Sequence, residues 1–189
     1  IADGALNNPK PEVIFGMHVM AGMPSGTISY KDGAILNSGD HLRIQVNGKQ
    51  VHGSMPWLCR DPIYASSQMI NNIQSLISRK ADLSKGMGVV SIGSIQGGTA
   101  GNVIPEQVNM TGTIRANSEN IRQNILKDLP KMIEYNALAN DVTAKVEIAP
   151  YAPVTMNDKT LTKLMQPTLA KVVGDSKLHV LENNSSASE

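Results

Sequence analysis

An α+β fold, in which a four-stranded antiparallel sheet carries two helices on one face, is predicted for the middle of this chain by three features. Apolar and polar residues alternate with period two in four separate stretches, and two other stretches carry apolar residues at helical spacing. Their order is βαββαβ. Crossings rich in Gly, Pro and Ser set the two ends of the chain apart from this middle.

Taken in order, Glu12 to Phe15 reads as a short buried strand, and Gly16-Met17-His18 follows at its carboxyl end, where open α/β sheets place their ligands. That makes His18 a candidate. Ala21 to Gly39 then reads as a crossing between two units. Leu42, Ile44 and Val46 share one face of an extended segment while Arg43, Gln45 and Asn47 share the other. This first strand of the central unit stops at Gly48, and an irregular loop shaped by Gly48, Gly53 and Pro56 carries His52. Asp61 has the position of an N-cap, with Pro62 at the first helical residue. Ile63, Ser66, Met69, Ile70, Ile73, Leu76 and Ile77 give the helix one core face, and Arg79 and Lys80 suit its C-terminus.

Met87 to Ile95 is the second strand, and the glycine-rich loop Gly97-Gly98-Thr99-Ala100-Gly101-Asn102 follows it. In the third strand Val108, Met110, Gly112 and Ile114 alternate with polar residues, so Arg115 belongs to the polar face. Asn117-Ser118 is expected to cap a second helix carrying Ile121, Ile125, Leu129, Met132 and Ile133, with Pro130 kinking or splitting it. Val142, Ala144, Val146 and Ile148 alternate as the fourth strand. From about His41 to Ala149 this is the split βαβ, ferredoxin-like order. The expected division is 1–38, a partial α/β segment and crossing; 39–150, the ferredoxin-like domain; and 151–189, a second partial α/β segment. In the last, Pro150 and Pro153 form another crossing, Asn157-Asp158 caps a helix with Leu161, Leu164, Met165 and Leu169, and Lys177 to Leu181 resembles a strand. The flanks are expected to pack on each other outside the small domain.

Composition excludes several function classes. With 189 residues, 41% of them hydrophobic, and a net charge of +1, the chain has the size and balance of one or two ordinary domains. Its basic residues are scattered and aromatics are 3% of the chain, so neither the electrostatic footprint nor the stacking platform of a nucleic-acid binder is present. No apolar run is long enough to cross a bilayer, so no membrane partner is expected. The single cysteine, Cys59, rules out an internal disulfide framework and a cysteine-rich zinc site. It leaves the compartment open, with the cytoplasm favoured over a periplasmic or secreted setting. The opening IADGALNN and closing ENNSSASE have the look of cut ends.

Four histidines are available, His18, His41, His52 and His179, and no two have the spacing of a short metal-ligand motif. Each can be a polar core residue or a functional group. His18 and His52 stand out because each follows a strand and sits among glycines, whereas His41 and His179 read as structural. Asn102 is either a turn residue or an amide that donates to a substrate oxygen. Arg115 is either a solvated strand residue or a bidentate clamp on a carboxylate.

The segments FGMHV, GKQVHGSMPW followed by RDPI, GGTAGNVIP and GTIRA, in that order and at these separations, resemble the dinuclear-metal amidohydrolases of the aminoacylase and carboxypeptidase family, metallopeptidase family M20. The branch most similar contains N-acyl-amino-acid, hippurate and indole-acetyl-amino-acid hydrolases. The resemblance implies a ferredoxin-like lid that carries the dimer contact, inserted in a larger catalytic domain. It implies a homodimer that cleaves an N-acyl amino acid or dipeptide-like amide beside a free carboxylate, using two divalent metal ions (Zn, Mn or Co). By the same resemblance His18 is a metal ligand, His52 the lid histidine that stabilises the tetrahedral oxyanion, and Asn102 and Arg115 bind the substrate's carbonyl and carboxylate. All three lid groups are then expected to converge on one surface. The family's Cys-Gly-His-Asp segment, its Glu-Glu pair and its last histidine ligand are not in this sequence, and Cys59 stands where relatives commonly have glycine. The chain is accordingly expected to be a fragment, inactive alone and without bound metal. The alternative is a non-catalytic, self-associating ferredoxin-like module in which His52 and Arg115 are structural.

Overall fold

The computed structural model of the protein describes residue 4 and residues 6–182. Residues 1–3, 5 and 183–189, and with them most of the closing ENNSSASE, lie outside the described residues.

Chain order is β1 (Ile28–Tyr30), β2 (Gly33–Leu36), β3 (Gly39–Asn47), β4 (Val51–His52), α1 (Pro62–Ser75), β5 (Gly88–Gly97), β6 (Val103–Ile104), β7 (Gln107–Ala116), α2 (Glu119–Ala139), β8 (Thr143–Ala152), β9 (Thr155–Asn157), α3 (Lys159–Val173) and β10 (Leu178–Val180). The main sheet has the order β5-β7-β3-β8 with every neighbouring pair antiparallel. β3 and β7 align Asp40 with Ile114 at one end and Asn47 with Gln107 at the other.

The alternation read from β3 and β7 decides which face is dry. Leu42, Ile44, Val46, Met110 and Ile114 lie under Met69 and Ile73 of α1 and Ile121, Ile125, Leu129 and Ile133 of α2, in one continuous core. Both helices therefore cover the same side of the sheet. Burying each such side chain contributes about 1.5–3 kcal/mol, so this layer is the main source of cohesion.

Local signals explain where the elements start and stop. The Asp61 carboxylate accepts from the backbone N–H groups of Ile63 (2.8 Å) and Tyr64 (3.0 Å), and Pro62 opens α1, as expected. After Ser75 the helix widens, Ala81 N–H bonding to the Leu76 carbonyl five residues back, with Arg79 and Lys80 in this last turn. For α2 the expected cap is corrected, and of the two outcomes expected at Pro130 the split is excluded. Ser118 occupies the N-cap position without a side-chain cap, and it is Asn117 that does local work, its Oδ1 accepting from Met87 N–H at 2.7 Å. Pro130 does not split the helix, which runs unbroken through residue 139. Leu129 and Ile133, both fully buried, flank the proline, and their burial outweighs the one backbone hydrogen bond that Pro130 omits.

The flanks differ from expectation in part. Glu12 to Phe15 forms no strand: it has no sheet neighbour among the described residues, and Ile14 and Phe15 are exposed. A strand is stable only when a partner accepts its backbone bonds. The crossing before β3 holds two short strands, β1 and β2, which pair in parallel with β10 and antiparallel with β9. The two flanks thus meet each other outside the main sheet. α3 starts at Asp158, whose carboxylate accepts from Leu161 N–H at 2.7 Å, but none of its residues is buried.

One interaction was not anticipated. Asp40, 1% exposed, receives two hydrogen bonds from Arg122, Nε to Oδ2 at 2.9 Å and Nη2 to Oδ1 at 2.6 Å. Glu119 accepts from the remaining Nη1 at 2.9 Å. The bidentate pair ties the start of β3 to the first turn of α2 and holds the guanidinium charged far beyond any accessible pH. Removing one partner strands a buried charge. We expect Asp40→Ala to lower the unfolding free energy by about 3–5 kcal/mol, measured by urea denaturation, and replacement of both residues by leucine to cost less than either single change. A loss under about 1 kcal/mol for Asp40→Ala would show that water solvates the orphaned arginine.

Candidate functional site

The loop after β3 is built by close backbone approach. Gly48 N–H bonds to the Glu106 carbonyl at 2.7 Å and Lys49 N–H to the Arg60 carbonyl at 2.9 Å. A Cβ at Gly48 would lie 1.9 Å from the Arg60 oxygen, so only glycine allows the loop to close. β4 then pairs with β6, His52 opposite Val103, and Gly53 N–H bonds to the Asn102 carbonyl at 2.7 Å. His52 and Asn102, fifty residues apart in sequence, are neighbours at the Asn47 end of the sheet.

The His52 side chain is exposed and oriented by its own loop. Its Nδ1 accepts from Ser54 N–H at 3.3 Å and lies 2.8 Å from Ser54 Oγ. An Nδ1 used as acceptor leaves the ring proton on Nε2. The exposed edge of the imidazole is therefore a hydrogen-bond donor. Sequence reasoning missed Ser54, although a serine two residues after a histidine in a tight turn is a legible sign of such a bond.

Arg115 lies elsewhere. It is half-buried on the sheet face away from the helices, paired with Val89 across β5 and β7. It is engaged in an interaction of its own. From Gln107 it is about 27 Å along β7 at about 3.4 Å per residue, so within one chain it does not meet His52 and Asn102. This corrects the expected convergence. The cause is strand length: β7 begins beside the glycine loop and carries Arg115 to its other end.

His18 is exposed in the irregular segment before β1, its Nδ1 2.8 Å from the Val19 carbonyl oxygen. A carbonyl only accepts, so Nδ1 carries a proton, the arrangement from which a metal-ligating histidine presents Nε2. Yet among the described residues no group of three His, Cys, Asp or Glu side chains is arranged to hold a metal ion. These residues do not by themselves fit a metal centre. Burial and the nearby Asp61 charge push the Cys59 thiol pKa up. His41 stacks edge-on against Tyr151, ring centres 5.7 Å apart, which agrees with a structural role. Among the described residues no helix is long and apolar enough to cross a membrane.

Comparison with known proteins bears on these elements. Residues 39–153, which span the main sheet and both its helices, match the M20 model described as peptidase dimerisation domain. The chain is 37% identical over 154 residues to an N-acetyldiaminopimelate deacetylase of Leuconostoc citreum, covering 80% of this chain and 39% of that protein. It is 36% identical over 169 residues to an N-acetylcysteine deacetylase of Bacillus subtilis, covering 89% and 44%. A solved dinuclear metal-binding peptidase of the M20 family from Bacillus subtilis superimposes with a TM-score of 0.73 at 29% identity, covering 99% of this chain and 45% of that one. The chain spans less than half the length of these relatives. With the sheet and both helices inside the matched region, the chain belongs to the M20 peptidase family and carries its dimerisation domain.

Proposed function

We propose that this chain is the ferredoxin-like lid, residues 39–150, with partial catalytic-domain segments 1–38 and 151–189, of a dinuclear-metal amidohydrolase. Its reaction is hydrolysis of an N-acyl amino acid or dipeptide-like amide beside a free carboxylate, in a homodimer. The observation that carries this reading is the loop closure that sets an exposed Nε2–H donor on His52 beside Asn102.

Attack of water on an amide carbonyl builds negative charge on its oxygen, and a donor held in place before the reaction stabilises that charge without reorganising. His52 supplies such a donor, its ring fixed by Ser54. Asn102 can add an amide N–H to the same oxygen, and Arg115 suits the free carboxylate of the substrate. The metal pair, when bound, would polarise the carbonyl and provide the attacking hydroxide. His18 would contribute one ligand, the others lying outside the described residues; the identity of the metal is open among Zn, Mn and Co.

The separation of Arg115 from His52 and Asn102 is resolved by a second copy. β5 and β8 are the sheet edges. β8 bears Lys145, Glu147 and Pro150, which discourage pairing, whereas β5 has neither charge nor proline in ten residues, and Val89 and Ile95 on it are half exposed. Antiparallel pairing of β5 with its copy about a two-fold axis sets the Val89 end of one strand beside the Gly97 end of the other. Arg115 of one copy would then approach His52 and Asn102 of its partner. Within one chain the separation favours the alternative, a self-associating module without catalysis, and subunit mixing distinguishes the two.

In the full-length enzyme, His52→Ala and Arg115→Ala homodimers are each expected to lose at least about 100-fold in kcat/KM, the scale of an oxyanion donor. Mixed and re-associated, they should regain up to half the wild-type activity per heterodimer, because one site then has every group intact. No recovery on mixing would place the groups in separate sites. Val89→Lys combined with Ile95→Lys is expected to convert the dimer to monomer in light scattering with an unchanged circular dichroism spectrum. A persistent dimer would move the interface away from β5.

A further inference from the structure

Arg115 sits where the main sheet comes apart. The β3–β7 ladder ends at Asp40 and Ile114, one residue short of Arg115, and strand ends beyond their last pairing fray. Two hydrogen bonds outside the ladder close the gap. Ser38 N–H donates to the Ala116 carbonyl at 2.8 Å, and Ala116 N–H donates to the Ser38 hydroxyl oxygen at 3.1 Å. Ser38 and Ala116 are 0% and 1% exposed, so water does not compete for either bond. Continued in register, Ser38 would face Ala116 and accept its N–H through the backbone carbonyl, as antiparallel strands do. Here the side chain accepts instead. Ser38 is thereby released from strand geometry and forms, with Asn37, the link between β2 and β3. A residue without a side-chain acceptor would make the same exit and abandon the buried Ala116 N–H. The other side of β7 is held separately, Arg115 pairing with Val89 and Asn117 N–H bonding to the Met87 carbonyl at 3.1 Å.

We propose that Ser38 is a positioning residue for Arg115: its hydroxyl fixes the end of β7 so that the guanidinium meets the carboxylate of the substrate. The proposal rests on the assignment of Arg115 to that carboxylate. The direction of a strand side chain follows from its own backbone, and a guanidinium grips a carboxylate with two parallel bonds in one geometry only. A misplacement of about 1 Å can cost on the order of 100-fold. Without the Ser38 hydroxyl, β7 is held at Arg115 from the β5 side, and the β3 side keeps one bond of two. The end of the strand is then free to tilt. Such a tilt acts on catalysis through Arg115 alone, so it is felt by substrates that carry a carboxylate and not by those that lack one.

The test measures kcat and KM of the full-length enzyme, by acetate release, on an N-acetyl amino acid and on the same compound with a primary carboxamide in place of the carboxylate. Wild type should show the lower KM for the carboxylate, and Arg115→Ala should remove that preference. Ser38→Ala should raise KM for the carboxylate about tenfold, a fraction of what a full misplacement costs, with kcat within about twofold of wild type and the carboxamide unaffected. Added to Arg115→Ala, it should change nothing further. A merely structural serine would lower activity on both substrates and in both backgrounds. Ser38→Cys keeps the volume and weakens the acceptor, so it should show the same selective rise in smaller measure even if Ser38→Ala fails to fold. Equal losses on the two substrates, losses that add to those of Arg115→Ala, or an unchanged KM in both Ser38 variants overturn the proposal while the assignment of Arg115 stands. A carboxylate preference that survives Arg115→Ala overturns that assignment and the proposal with it.

Discussion

The antiparallel register between β3 and β7 is the constraint on which the rest of the structure depends. By aligning Asn47 with Gln107 it brings the chain leaving β3 and the chain entering β7 side by side, so the β4–β6 pair forms and His52 meets Asn102. By aligning Asp40 with Ile114 it puts Arg115 at the far end. A slip of one residue would turn Leu42, Ile44 and Val46 out of the core, so burial of those side chains holds the register. The position of these candidate groups is thus a consequence of hydrophobic packing some distance from them.

The buried Asp40–Arg122 pair locks the opposite end. A hydrophobic pair of similar volume would give comparable or greater stability, so the ion pair is better understood as a specificity device. Its two parallel hydrogen bonds are satisfied in one relative placement of β3 and α2. That placement matters because α2 continues directly from β7, whose last residues include Arg115.

The asymmetry of the two sheet edges has the same logic at the scale of assembly. β8 is blunted by Lys145 and Glu147, which pair with each other at 2.7 Å, and by Pro150. β5 carries none of these guards, and an unguarded edge of ten residues is a liability in a protein that stays alone. The region that contains this edge matches a peptidase dimerisation domain.

Much of this was legible in the amino-acid order. The period-two strands, the helical stripes, the Asp61-Pro62 helix start and the candidate status of His52, Asn102 and Arg115 follow from local patterns, because backbone geometry imposes those periods on any chain that buries one face. Local patterns failed where a partner decides the outcome: Glu12 to Phe15 has strand character and no strand beside it, and Pro130 sits in a helix that the core holds together. The sequence by itself determined the four strands and two helices of the central unit and which residue types are available for chemistry. Only the tertiary structure decided that Asp40 and Arg122 meet, that His52 lies beside Asn102, and that Arg115 stands a strand's length from both. Those relations depend on distances between residues remote in sequence, and such distances exist only once the strands have paired.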